Sequence, residues 1–118
     1  MKFHRNDPPR VYEVGTNRTI AISDIGDIHL APNEQVTFVT DSGMRHDFTR
    51  KDWGFYATPS INGRLANEGF KTALVQNRSG RIYLMVVEPA KMAAFKDYCK
   101  VGEQTVLQWL DQHGVEKT

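Results

Sequence analysis

"FKTALVQNRSGRIYLMVVE", residues 70–88, sets two apolar runs on either side of Arg78-Ser79-Gly80. Apolar runs joined by so short a glycine-bearing turn predict a β-hairpin. A second hairpin signal lies upstream. In "QVTFVT" (35–40), Val36, Phe38 and Thr40 alternate with Thr37 and Val39. "TDSG" follows, with Asp41 and Gly43 suited to turn geometry, and "MRHDFT" (44–49) reads as the returning strand. Further towards the N-terminus, "TIAISDIGDIHL" (19–30) puts Ile20 and Ile22 on one face. The apolar phase then slips between Ile25 and Ile28, beside Gly26, and a bulge or bend there would restore a single buried face. "RVYEV" (10–14), entered through the stiff Pro8-Pro9 pair, is a short strand, and "WGFYAT" (53–58) is another.

Helical signals are fewer. Ser60 suits the cap of a short turn through "INGRLAN", closed by Gly69. The stronger helix opens at Glu88-Pro89, with proline in the first helical position. Met92, Phe95 and Cys99 recur at helical spacing and define its buried face, and Gly102 ends it. "QTVLQWL" (104–110) fits a last strand or a second helix, with the strand preferred. As a strand it sets Thr105, Leu107 and Trp109 on one face and leaves Val106 and Leu110 off it.

Many short strands, two hairpins and one packed helix predict a single α+β domain over 1–118. It is mostly antiparallel β, a small sandwich or open barrel with one C-terminal-half helix. A doubly wound α/β fold needs a helix between successive strands, and the first half of the chain has none.

Bulk properties exclude several functions. Fifteen basic and 14 acidic residues leave a net charge of +1, without the clustered cations of a dedicated nucleic-acid or polybasic membrane binder. One cysteine, Cys99, cannot form an intramolecular disulfide or a multi-cysteine metal site. No apolar run at the start resembles a secretory signal, and none is long enough to span a bilayer, so a cytoplasmic location is expected. In that setting the glycosylation patterns at Asn17 and Asn77 carry no meaning.

No catalytic signature stands out. The histidines are His4, His29, His46 and His113. The His-x-His pair of the cupin barrels is absent, and Asp27 with His29 on one strand face fits a local hydrogen-bonded pair, so neither a metal nor another cofactor is expected. Ser60 lies in "TPSIN" rather than a Gly-x-Ser-x-Gly elbow, and "NGRLANEG" lacks the Walker spacing. Cys99 sits on an apolar helical stripe, which suits an inert packing thiol.

The chemistry concentrates in residues 45–64. "RHDFTRKD" (45–52) interleaves Arg45, Arg50 and Lys51 with Asp47 and Asp52, which suits a solvated hairpin or edge strand. The functional alternative is an anion clamp of Arg45 or Arg50 with Arg64. In "DWGFYATPSINGR" (52–64), Trp53 and Phe55 share one strand face and read as core, with Tyr56 on the other. Tyr56, Thr58, Ser60, Asn62 and Arg64 would then form an aromatic and polar patch able to stack on a sugar and hydrogen-bond it.

"RKDWGFYATPSINGRL" with the following "GFKTALV" resembles short, uncharacterised bacterial proteins associated with surface-polysaccharide genes. The resemblance implies a bacterial accessory protein near sugar or sugar-nucleotide metabolism and transfers no site residue.

The resulting expectation is a non-catalytic accessory protein binding an anionic or sugar-like ligand, or a protein partner. Its binding residues would be Arg45, His46, Arg50, Tyr56, Ser60, Asn62 and Arg64. One alternative is a small-barrel sugar-nucleotide isomerase or epimerase with His46, Asp47 and Tyr56 as acid–base groups. Another is a structural homo-oligomer subunit whose aromatics bury against a second copy.

Overall fold

A computed structural model describes residues 1–15, 19–67 and 69–112. Asn17 and His113 lie outside the described residues. The described residues form three small antiparallel sheets, none closed into a barrel, with one ten-residue helix in the C-terminal half.

The 70–88 hairpin anchors the body. β6 (Lys71–Gln76) pairs with β7 (Ile82–Val87) in register, Ala73 opposite Met85 and Val75 opposite Tyr83. The Asn77 side chain accepts from the Ser79 and Arg81 amides, each at 3.0 Å, and so shapes the turn. β8 (Thr105–Trp109) pairs along the other edge of β6. Residues 104–110 are thus mainly strand, with an irregularity that resolves their awkward pattern. Val75 faces Val106 and Leu74 faces Gln108, so Leu107 is the extra residue of a bulge. Val106 and Trp109 then both pack on the core, and Leu107 is left exposed.

The helix α1 (Met92–Val101) follows a single 3-10 turn begun by Pro89. Cys99 is buried against Ala73 and Val75, while Phe95 meets Trp109 edge-on at 5.8 Å. This is the principal core.

β3 (Gln35–Val39), β4 (Arg45–Lys51) and β5 (Gly54–Ala57) form the second sheet, with β4 in the middle. The charged 45–52 run is therefore a central strand and not an edge, and His46, Asp47 and Thr49 within it are buried. Asp52 and Trp53 form the two-residue turn between β4 and β5, since Lys51 opposes Gly54. That turn explains a further correction. Trp53 and Phe55 are not core; they are 72% and 60% exposed. A turn of Arg64–Asn67 follows, capped as expected by Ser60, whose Oγ accepts from the Arg64 amide at 2.9 Å. Leu65 in this turn is fully buried.

The third sheet is a long ribbon of two strands, β1 (Lys2–Val14) and β2 (Ile20–His29). β1 is far longer than the expected 10–14 segment and runs through Pro8-Pro9. The irregularity expected beside Gly26 is present, but the extra residues lie on β1: Arg5 opposes Gly26 and Arg10 opposes Asp24. Gly26 itself is pressed against the neighbouring strand, where an added Cβ would sit 2.3 Å from the His4 carbonyl oxygen. Phe3 opposes Ile28, Tyr12 opposes Ile22 and Val14 opposes Ile20, so each pair shares a face. Ile25 stays 60% exposed.

Candidate functional site

The alternation of β4 separates two surfaces of very different chemistry. Arg45, Asp47 and Thr49 share one face with their cross-strand partners Val39, Thr37 and Gln35. His46 and Phe48 share the other with Phe38 and Val36.

On the polar face, Gln35, Thr37, Gly43, Met44, Arg45, Asp47 and Arg64 line an open cleft of about 540 Å³. Asp47 is its anchor. The carboxylate is almost fully buried and accepts from Arg64 Nη2 at 3.1 and 3.3 Å. Ser60 fixes the start of the turn that carries Arg64, so the arginine reaches back across the sheet from a set position. With Arg64 balanced by Asp47, the exposed Arg45 leaves the cleft with one surplus positive charge.

The expected binding residues therefore divide. Arg45 and Arg64 meet in this cleft, and Ser60 supports it through the backbone. Asn62 is exposed in the turn before Arg64. His46 faces the other way, buried against the rings of Phe48 and Phe70 at 5.1 and 6.0 Å. Arg50 also lies on that face, beside Phe55, and its guanidinium donates to the Lys51 carbonyl. Tyr56 sits opposite Thr49 with its ring 6.2 Å from Trp53, and it does not line the cleft. The acid–base trio His46, Asp47 and Tyr56 does not converge.

On the second surface, none of the expected binding residues lines the groove. Ile28 and Leu30 from the ribbon, with Val36, Phe38, Phe48 and Phe55, line an almost wholly apolar groove of about 410 Å³. The other end of the ribbon faces a second gap of about 530 Å³, where Tyr12, Val14 and Ile22 stand across from Tyr83, Met85 and Tyr98. The period-2 pattern of Ile20, Ile22 and Ile28 is the signal in the sequence, but a pattern marks a face and not what covers it.

No match is found among protein-family models, curated proteins or solved structures. The surfaces themselves carry the functional reading.

The remaining reactive groups are quiet. Burial pushes the Cys99 thiol above its ordinary pKa, which keeps it protonated and unreactive. His4 and His29 stack edge-on at 5.0 Å. Among the described residues, no three His, Cys, Asp or Glu side chains gather in a way that could hold a metal ion. No helix of the described residues is long and apolar enough to cross a membrane.

Proposed function

We propose that this chain is a non-catalytic accessory protein of the bacterial cytoplasm that works by binding another protein chain through its exposed sheet surfaces. One observation carries the reading: the chain has more surface than its mass requires. Its accessible area is 8529 Å². A compact monomer of 13.4 kDa exposes about 6,500 Å². Even full extension of the ten residues outside the described set would account for only about half of that excess. The remainder, roughly 1,000 Å², is about one partner's share of a standard interface.

The shape and the side chains agree. The radius of gyration is 16.1 Å, against about 13.5 Å for a compact chain of this length. Exposed large apolar residues gather on the ribbon and on the groove beside it: Phe3, Tyr12, Ile22, Ile28, Phe38 and Phe55. Large apolar side chains exposed in such number mark an interaction surface. Scattering and dye binding on the dilute protein test the reading. A radius of about 16 Å with strong binding of an apolar dye is expected. A radius of about 13.5 Å without dye binding would contradict it.

The cleft at Arg45 and Arg64 supports a second reading, capture of a small carboxylate- or phosphate-bearing sugar. Arg64 is pre-positioned by Asp47, and Arg45 supplies the surplus charge. Calorimetric titration with inorganic phosphate and with glucuronate is the test. Binding lost in Arg45→Ala supports the reading, and no heat with either probe removes it.

A further inference from the structure

The ribbon differs from the other sheets in having a long edge without proline or cations. Soluble proteins blunt exposed strand edges with proline, bulges or charged side chains, lysine above all, because the unpaired amides and carbonyls template pairing with another chain. β1 is defended in this way. Lys2, Arg5 and Arg10 are spaced along it, and Pro8 and Pro9, which have no amide hydrogen, interrupt its middle. β2 has neither proline nor a cation; its charges are Asp24, which Arg10 holds, and Asp27, and its one irregularity lies beside Gly26. Its ten residues, "IAISDIGDIH", contain no proline, lysine or arginine, and its outer edge pairs with no strand among the described residues. The edge strands β3, β5, β7 and β8 also lack cations, but none of them is longer than six residues.

Resting on the reading that the surplus surface is binding surface, we infer that the chain forms a twofold homodimer in which β2 pairs antiparallel with β2 of a second copy. The two ribbons become one four-stranded sheet. Three considerations favour a second copy over a different protein. Ile20, Ile22, Ile25 and Ile28 recur along β2, so a second copy offers the same apolar residues back to it. Closed twofold pairing is the commonest solution among soluble oligomers. A net charge of +1 gives two copies almost no mutual repulsion.

The sequence of β2 also selects a register. Centred on Ile25, a twofold axis sets Ile25 against its own counterpart, Ile22 against Ile28 and Ile20 against Leu30. Asp24 then faces Gly26 and Asp27 faces Ser23, so no two carboxylates oppose. Moving the axis to Asp24 would set two carboxylates against each other. Asp24 is already held by Arg10 at 3.0 Å, which keeps its charge on the β1 side.

Four measurements on the full chain decide the matter. Sedimentation velocity at micromolar concentration is expected to give a dimer. Ile25→Lys, a change at a site 60% exposed in the single chain, is expected to raise the dissociation constant about 100-fold, a tenfold change for each lysine meeting at the axis. Ile25→Cys is expected to form an interchain disulfide on mild oxidation, whereas the natural chain, with Cys99 buried, does not. Leu84→Lys on the edge strand β7 should leave the dimer intact. A monomer at 100 micromolar overturns the inference. So does a dimer that survives Ile25→Lys and fails to cross-link in the Ile25→Cys variant, or one broken by Leu84→Lys alone. A monomer that remains extended and binds apolar dye would overturn only self-association. A compact, dye-silent monomer would overturn the binding-surface reading as well.

Discussion

In β6, Ala73 and Val75 are fully buried, while in β2 the equally apolar Ile20, Ile22 and Ile28 stay 37%, 38% and 41% exposed. Both strands alternate or run apolar, and both pair antiparallel with a neighbour. The difference lies in what the rest of the chain brings to each. β6 has a strand on both edges and Cys99 and Phe95 of α1 packed over it. β2 has one strand on one edge and loosely filled gaps beneath. One chain thus finishes one core and leaves a second apolar face uncovered.

The comparison breaks most visibly if the body is not self-sufficient. Leu65→Ala removes a fully buried side chain and is expected to cost about 2–5 kcal/mol in denaturant unfolding. A loss below about 1 kcal/mol would mean that the packing around Leu65 is itself incomplete. Gly26→Ala strikes the ribbon, where the new Cβ would meet the His4 carbonyl. Loss of ordered ribbon amides in NMR spectra, with the β6–β8 amides unmoved, is the expected outcome; global unfolding would show the two regions to be one cooperative unit.

Arg64→Ala leaves the buried Asp47 carboxylate without the arginine that faces it. Because the guanidinium side is 46% exposed, the expected cost is only about 1–2 kcal/mol by thermal unfolding. Cys99 reports on the body at smaller effect. Its thiol pKa is raised by burial, so the stability this contributes is complete below the ordinary thiol range and fades as pH rises through the folded value. Iodoacetamide at a pH of about 8 is expected to label it only in the unfolded chain. Trp53→Ala at the exposed hairpin tip should change stability by less than about 0.5 kcal/mol, a value that a core tryptophan would far exceed.

Much of the fold was legible because its signals are local. The Asn77 turn, the Ser60 cap, Pro89 and the Met92–Phe95–Cys99 stripe each follow from residues a few positions apart. What failed depended on tertiary placement. Trp53 and Phe55 carry the composition of a core strand, but a two-residue turn puts Trp53 at a hairpin tip, and Phe55 lines an open groove. The charges of 45–52 suggested an edge, whereas the buried Asp47 is matched by Arg64 from 17 residues away, a partner no local pattern names. Parity also misled at residues 104–110, because the bulge at Leu107 turns Val106 and Trp109 to the same side. In the candidate site, Arg45 and Arg64 could be nominated from residue type, but only the register of β4 separates them from His46 and Arg50.

Hydrogen exchange followed against protein concentration tests the central contrast most directly. The β6 amides, paired on both edges within one chain, should exchange slowly and identically from nanomolar to high micromolar concentration. The outward amides of β2 should exchange fast when dilute and become protected as concentration rises. Protection of β2 that is already complete at the lowest concentration, or absent at the highest, would contradict the account.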